Sequence, residues 1–188
     1  MRLPRGRGGF IDSVMKSLRI VLPVLLALGV AVYFGYYYLW LEDDERIILG
    51  KIDTLVELAS KEGDETVFVG VSRARDIADH FTDEFYLDMG RPIPRGRSNR
   101  DELTAGIAQA RGQIASLRLR VSDRDLVLDE GGERATMELT GRGRLDHQGG
   151  RGEEARRFRV EWVKEDGEWL IERVELLEVL GPDAGGGG

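Results

Sequence analysis

The chain of 188 residues contains no cysteine and only two histidines. Without cysteine it can form no disulfide bond, no thiolate metal site and no cysteine nucleophile. The two histidines, His80 and His147, are far apart in the chain and belong to no HxH or HExxH arrangement. We therefore predict no metal site.

Phosphate-binding loops are also missing, although the chain contains 25 glycines. None of the glycine-rich stretches follows a strand and opens a helix, which is the order that a nucleotide phosphate loop requires. The sequence contains no internal repeat and only 5 prolines. We expect no nucleotide cofactor and, more generally, no cofactor.

Acidic residues outnumber basic residues after the first 19 positions of the chain. The formal net charge is −7, and residues 1–19 carry +4 because five basic side chains stand against Asp12. Residues 20–41 are uncharged, so the remainder of the chain carries −11. An acidic domain lacks the clustered Lys and Arg that phosphate backbones need, which excludes nucleic acid as a predicted partner.

Ile20–Leu41 is an uncharged, apolar run of 22 residues. As a helix it would reach about 33 Å, enough to cross a bilayer core of about 30 Å. Basic residues precede the run and Glu42–Glu45 follow it, so the positive-inside rule predicts a cytoplasmic N-terminus. We expect a single-pass protein of the bacterial inner (cytoplasmic) membrane, with its C-terminal domain periplasmic or extracellular.

A cleaved signal peptide is the alternative interpretation of this run. Its apolar region would span about 7–15 residues and end at small residues, and Gly29–Ala31 offers a weak site of that kind. Cleavage there would leave ten strongly apolar residues at the new N-terminus. The uncleaved anchor is favoured for that reason, and both interpretations stay open.

Composition sets the domain boundaries. Residues 1–19 are predicted to be a basic cytoplasmic head, and residues 20–41 a transmembrane helix. Residues 42–180 form one domain of ordinary size with a core of its own. Residues 181–188, which end in four glycines, are predicted to be a disordered tail.

Three helices are predicted in this domain. Glu42–Glu62 carries one apolar stripe at helical spacing, formed by Ile48, Ile52, Leu55 and Ala59. A second helix is expected to begin at Ser72, after a linker, and a third at Ser98 or Asn99. Asn99 and Glu102 have the spacing of a capping box.

The strands are predicted to follow the third helix, except for a short one at Glu84–Met89. From Ser116 the apolar period changes to two, and a change of phase near Asp123 predicts a β-bulge. Gly90–Arg97 and His147–Glu154 are expected to be loops, and Asp166-Gly167 a tight hairpin. Helices followed by antiparallel strands indicate an α+β fold.

Four stretches resemble the nuclear transport factor 2-like superfamily, which includes the SnoaL-like proteins and the ketosteroid isomerases. They are Ile52–Asp64, Phe81–Leu87, Gly96–Leu103 and Glu165–Ile171. The resemblance implies a cone, in which a strongly curved antiparallel sheet wraps three helices and leaves a pocket at its open end. The candidate lining residues of that pocket are Tyr86, Met89, Met137 and Trp162.

Family enzymes place a carboxylate base just after the short first strand, and the isomerases pattern it as Tyr-x-Asp-Asp-x-x-x-Glu-Asp-Pro. A gap-free alignment puts this base position on Met89, whose thioether cannot abstract a proton. A shift of one residue would bring Asp88 there instead. Asp88, His80 and Glu84 are therefore weak catalytic candidates, and a solvated acidic face with an edge histidine is the favoured interpretation.

Two functions remain at this stage. The favoured one is a membrane-anchored, extracytoplasmic, non-catalytic module that binds a small apolar ligand or a membrane-protein partner. The bitopic component of type IV secretion systems has a similar architecture. The alternative is a SnoaL-like enzyme of isomerase, cyclase or hydrolase type acting on a small lipophilic substrate. The resemblance also implies a possible homodimer through the outer face of the sheet. A solvent-exposed face is the alternative, because it would carry Arg118, Arg120, Arg157 and Arg159.

Overall fold

Three helices and one six-stranded sheet make up the part of the chain that the structure, a computed structural model, describes: residues 44–90, 95–147 and 150–181. Helix α1 covers residues 44–59. The other helices are α2 (Val67–Ala78) and α3 (Arg100–Gln113). The strands are β1 (Phe81–Asp88), β2 (Gly96–Asn99), β3 (Ser116–Leu128), β4 (Arg134–His147), β5 (Gly150–Glu165) and β6 (Glu168–Leu180).

The strand order in the sheet is β2-β1-β6-β5-β4-β3. Strands β3 to β6 form an antiparallel meander, as predicted, and Asp166 and Gly167 turn its last hairpin with φ values of 50° and 87°. The expectation of an entirely antiparallel sheet is wrong at one position, because β1 pairs parallel with β6. This pairing arises because α3 and the whole meander lie between the two strands in the chain, which allows a crossover.

Interruptions of the strand register bend the sheet. The predicted bulge in β3 is confirmed by a register shift between Ser122 and Asp125, with Asp123 at φ 51°. The pairing of β5 with β6 shifts twice more. Since each bulge adds twist and bends its strand, these shifts curve the sheet around the helices. We call its helix-facing side the inner face and the opposite side the outer face.

The core lies between the inner face and the helices. Its largest fully buried side chains are Trp162, Trp169, Ile48 and Met137. Ile48 and Ile52 begin the apolar stripe predicted for α1, and both are buried in the core cluster. Burial of each such side chain is worth about 1.5–3 kcal/mol, so this stripe holds α1 against the sheet.

Several element boundaries differ from prediction: β1 begins at Phe81 and not at Glu84, and α1 ends at residue 59 and not at Glu62. Helix α2 begins at Val67 with Thr66 as its N-cap, so Ser72 lies inside the helix and does not cap it. The predicted loop at Gly90–Arg97 overlaps strand β2, which forms because Arg97 and Gly96 pair with β1. The predicted loop at His147–Glu154 likewise overlaps β5. Asn99 caps α3 as expected, because its side chain accepts a hydrogen bond from the Glu102 N–H at 2.9 Å.

A buried ion pair joins the ends of two helices. Arg111, in the last turn of α3, donates from Nε and Nη2 to the two carboxylate oxygens of Glu65, at 2.9 and 3.0 Å. The same guanidinium donates to the carbonyl oxygens of Leu58, Ala59 and Ser60. The last carbonyls of a helix have no partner inside the helix, so Arg111 satisfies the C-terminal end of α1.

Lys61 satisfies backbone carbonyl groups at the C-terminal end of α3. Its Nζ donates to the carbonyl oxygens of Arg111 and Ile114, at 2.8 and 2.6 Å. Its backbone also exchanges two hydrogen bonds with Leu117 at the start of β3. The helix ends are therefore fixed to each other and to the sheet.

Asp44 makes a second buried contact, at the other end of α1. Its carboxylate accepts hydrogen bonds from Lys164 Nζ at 2.8 Å and from Trp169 Nε1 at 2.9 Å. Lys164 is near the end of β5 and Trp169 is near the start of β6, on the two sides of the hairpin turn. The start of the described helix is thereby tied to the last two strands.

The predicted membrane segment, Ile20–Leu41, lies outside the described residues, as do the head and most of the tail. Among the helices of residues 44–90, 95–147 and 150–181, none is long and apolar enough to span a bilayer.

The substitution Glu65→Gln is expected to lower the free energy of unfolding by about 3 kcal/mol, because it leaves the buried guanidinium of Arg111 without its counter-charge. Urea unfolding followed by circular dichroism measures this change. The control is Glu62→Gln, whose ion pair with Arg118 is exposed on both sides. It should change the stability by no more than about 0.5 kcal/mol. Equal losses in the two variants would contradict the role given to the buried pair.

The same carboxylate predicts a pH dependence. Hydrogen bonding by Arg111 lowers the pKa of Glu65 below its ordinary value of 4.5, against the opposing effect of burial. Between the pKa of Glu65 in the folded chain and its pKa in the unfolded chain, the unfolded chain binds more protons. The stability that this carboxylate contributes is therefore fully present above the interval and is lost as the pH falls through it. Unfolding free energies measured from about pH 6 to about pH 3 should show a shallower slope for Glu65→Gln than for the unmodified chain. Parallel curves would refute this assignment.

Candidate functional site

Two charged residues of β5 lie on the inner face of the sheet. Arg156 and Glu154 stand in phase with the buried Val160 and Trp162, and alternation directs all four to the same face. Their partners across β4 are Gly141 and Gly143. The Phe158 ring packs over Gly141 and Leu119 packs over Gly143, since a Cβ at either glycine would lie 3.3 Å from these side chains.

The guanidinium of Arg156 joins this pair to the end of β1. Its Nη1 donates to the Met89 carbonyl oxygen at 2.6 Å, and its Nη2 donates to Glu154 Oε2 at 2.9 Å. The side chains of Arg156 and Glu154 are 23% and 50% exposed. Hydrogen bonds within the described residues use two of the five N–H donors of this guanidinium, so three remain for a ligand.

Gly90 follows β1 beside this guanidinium. It has a φ of 73°, and a Cβ at this position would lie 2.6 Å from Leu176 Cδ2 and 3.6 Å from Arg156 Nη1. A side chain there would be strained by the positive φ and would require Leu176 to move, whereas its distance to the guanidinium is an ordinary contact. We call the group formed by Met89, Gly90, Glu154 and Arg156 the inner-face site. Phe158 and Leu176 are its apolar neighbours.

The structure separates the four residues that were predicted to line a pocket. Met89 is half-buried beside Arg156, but Met137 and Trp162 are fully buried in the packed core. The Trp162 indole N–H has no hydrogen-bond partner among the described residues. Tyr86 lies on the outer face, where the Arg173 guanidinium stacks 4.6 Å from its ring centroid. Only Met89 belongs to the inner-face site.

Asp88, the residue nearest to the family's base position, also lies on the outer face. It alternates with the inward-facing Leu87, and its Oδ2 is 3.3 Å from Arg95 Nε. The Nε of Arg95 also donates a hydrogen bond to Tyr86 Oη at 2.7 Å. These side chains therefore form a surface cluster, on the opposite side of the sheet from Arg156.

The other two catalytic candidates are not brought near Asp88. His80 lies in the turn after α2, and its Nδ1 is 2.8 Å from the Asp76 carbonyl oxygen. The side chain of Glu84 is 76% exposed, and it pairs with Arg97 at 3.7 Å. Within the described part of the chain, no group of three or more His, Asp and Glu side chains is arranged to hold a metal ion.

Charge on the outer face is mostly paired. Glu138 accepts hydrogen bonds from Arg159 at 2.8 Å and from Arg157 at 2.9 Å. The bond from Arg159 is the largest of the effects that lower the pKa of Glu138. Arg173 similarly stands between Glu161 and Glu175. Two of the arginines expected either at a dimer interface or in solvent thus share one carboxylate.

Arg156 and Glu154 were not among the site residues predicted from sequence. Glu154 ends the loop predicted at His147–Glu154, and no role is predicted for Arg156. One signal could have identified the arginine: it continues, at a spacing of two, the apolar positions Phe158, Val160 and Trp162. A charged residue in phase with the core side of a strand indicates either burial or a site.

The geometry described above is that of the nuclear transport factor 2-like class: three helices packed against a curved six-stranded sheet. Within that class, the family model of the SnoaL-like domain matches residues 70–175, more than half of the chain. The chain therefore belongs to the SnoaL-like domain family. The matched range includes all four residues of the inner-face site.

Solved structures with the same fold are distant in sequence. A protein of Kribbella flavida is 14% identical, with a TM-score of 0.60 over 74% of this chain and 95% of its own. A nuclear transport factor 2-like protein with a cystatin-like fold, from Novosphingobium aromaticivorans, is 15% identical, with a TM-score of 0.58 over 79% of this chain and 89% of its own.

A third similar structure, from Novosphingobium aromaticivorans DSM 12444, is named as a proposed scytalone dehydratase. It is 13% identical, with a TM-score of 0.57 over 72% of this chain and 83% of its own. At these identities the likeness shows the fold alone. No curated protein matches the sequence.

Proposed function

We propose that this protein is a membrane-anchored, extracytoplasmic binding module of the SnoaL-like family that acts without catalysis. The observation that carries the proposal is the position of Asp88. This carboxylate is one residue from the family's base position, yet it faces outward and pairs with Arg95. The base position itself holds Met89, whose thioether cannot accept a proton from carbon. The inner face thus offers binding groups where family enzymes offer a base.

The ligand is a small molecule with an apolar body and one carbonyl or carboxylate oxygen. Arg156 supplies the recognition, because its remaining N–H donors form a planar fork that fits such oxygens. Phe158 and Leu176 supply apolar contact next to it. The ion pair with Glu154 fixes the guanidinium, so little side-chain freedom is lost when the ligand binds.

The anchor is the segment Ile20–Leu41. Its length, its lack of charge and its asymmetric flanks support a single inner-membrane helix with the N-terminus in the cytoplasm. A domain that follows such a helix directly stays close to the bilayer surface. That position favours lipophilic ligands for the inner-face site, and it also brings the domain close to membrane-protein partners.

A second candidate function rests on Glu154. This carboxylate is half-exposed on the inner face, and a carboxylate there could act as a general base. The chain would then be a SnoaL-like enzyme of isomerase, cyclase or hydrolase type acting on a small lipophilic substrate. The similar structure named as a proposed scytalone dehydratase is consistent with enzymes of this fold. Glu154 is already engaged by Arg156, which is why this function ranks second.

Ligand binding is tested on the full chain in nanodiscs, with a panel of lipophilic carboxylic acids, ketones and lactones. We expect at least one compound to raise the unfolding temperature, and Arg156→Gln to weaken its binding on the order of tenfold, because charged hydrogen bonds are lost. Asp88→Asn should leave binding unchanged. Turnover that disappears in Glu154→Gln would overturn the non-catalytic proposal in favour of the enzyme. Binding that Arg156→Gln leaves intact would refute the assigned site.

Topology is tested separately, by a reporter fused after Gly188. Because the flanking charges predict a cytoplasmic N-terminus, we expect the reporter to be active only outside the cytoplasm. A tag placed before Arg2 should remain on the membrane-bound protein, since the anchor is not cleaved. Loss of that tag would support the signal peptide, and reporter activity inside the cell would overturn the orientation.

A further inference from the structure

Four arginines are gathered at one end of the outer face, far along the sheet from Asp88. Arg118 and Arg120 come from β3, and Arg142 and Arg144 from β4. The strand register puts Arg118 directly opposite Arg144, and Arg120 directly opposite Arg142. Like charges directly opposite each other destabilise an antiparallel pair of strands. The arrangement therefore favours an anion that lies between them.

The neighbouring acids do not neutralise this group, which we call the arginine cluster. Arg144 donates from Nη2 and Nε to Glu153 Oε2, at 2.9 and 3.3 Å. Arg118 reaches Glu62 only at 3.5 Å, and both of these side chains are exposed. The side chains of Arg120 and Arg142 make no hydrogen bond or ion pair with any other described residue. Two guanidinium groups thus retain all their donors.

The contrast with the rest of the outer face is informative. Arg157 and Arg159 share Glu138, and Arg173 lies between two glutamates. The same sheet therefore pairs its arginines elsewhere. Among the described arginines of the outer face, those without a side-chain partner lie in the arginine cluster. There the pKa of Glu153 is lowered first by its hydrogen bond to Arg144 and also by the charges of Arg142 and Arg120.

A cleft of about 200 Å³ lies among these side chains, lined by the four arginines and Glu153. A larger cleft of about 710 Å³ adjoins it and shares Arg118, Arg144 and Glu153 with it. Ser116 and Asp146, which are hydrogen-bonded to each other at 3.0 Å, line this second cleft. The small cleft suits one compact anionic group, and the larger cleft gives room for a polar body.

We infer that the arginine cluster is a binding site for a phosphate group, carried by a small phosphate ester or pyrophosphate or by a phospholipid headgroup. Guanidinium groups form paired, charge-assisted hydrogen bonds with phosphate oxygens, and opposed strands present two such forks to one ligand. The surrounding domain is strongly acidic, and beyond about 8 Å its repulsion is screened at physiological salt. A compact anion fits within the cluster, whereas an extended nucleic acid would reach beyond it onto the neutralised part of the outer face. This site is independent of the inner-face site.

The test titrates inorganic pyrophosphate into the full chain in phosphatidylcholine nanodiscs, by calorimetry, at constant ionic strength. We expect Arg120→Gln with Arg142→Gln to weaken binding on the order of tenfold or more, because two charged donors are lost. The matched control is Arg97→Gln with Arg134→Gln, which removes the same charge from two exposed, paired arginines of the sheet. It should bind as the unmodified protein does.

The unfolding temperature without anion shows that the first double variant folds, and it should be unchanged or higher because opposed like charges are removed. Nanodiscs that contain phosphatidylglycerol distinguish the source of the phosphate. Weaker pyrophosphate binding in them identifies the headgroup as a competing ligand, and unchanged binding identifies a soluble ligand. The inference is overturned if pyrophosphate does not bind, if chloride at equal ionic strength has the same effect, or if both double variants bind alike.

Discussion

The ion pair between Arg111 and Glu65 is the interaction on which the helical layer depends. One guanidinium closes the end of α1 and binds the loop that leads to α2, while Lys61 closes the end of α3 in return. Burial without these partners would leave helix carbonyls and two charges unsatisfied, which is far costlier than the net gain of the pair. The backbone bridge from Lys61 to Leu117 then fixes the layer to β3, and Asp44 fixes the opposite end of α1 to the last hairpin.

Strand alternation decides which chemistry the inner face can support. Phe85 and Leu87 turn inward because the core requires them, and this sends Asp88 to the outer face. The same alternation on β5 brings Arg156 inward, opposite Gly141. The inner face of this chain thus carries a guanidinium held by a carboxylate. In the proposed function this pair recognises a ligand oxygen atom and transfers no proton.

The outer face divides into a neutralised part and a positive end. The acid–base pairs around Glu138 and Arg173 need partners on neighbouring strands, and the register supplies them. At the arginine cluster the register instead opposes arginine to arginine. The net negative charge of the domain conceals this local positive charge. A domain can therefore be too acidic to bind nucleic acid and still bind a compact phosphate group at the arginine cluster.

Local patterns were enough to predict α1 from its apolar stripe, the Asn99 cap, the bulge near Asp123 and the Asp166-Gly167 hairpin, since each depends on a few adjacent residues. The four resembling stretches added the fold. Tertiary structure alone decided that β1 runs parallel to β6 and that Gly96–Asn99 becomes a strand. It also joined Arg111 to Glu65 and Arg156 to Met89. These contacts link residues far apart in the chain, and their partners are determined by topology and register, which no short stretch of sequence contains.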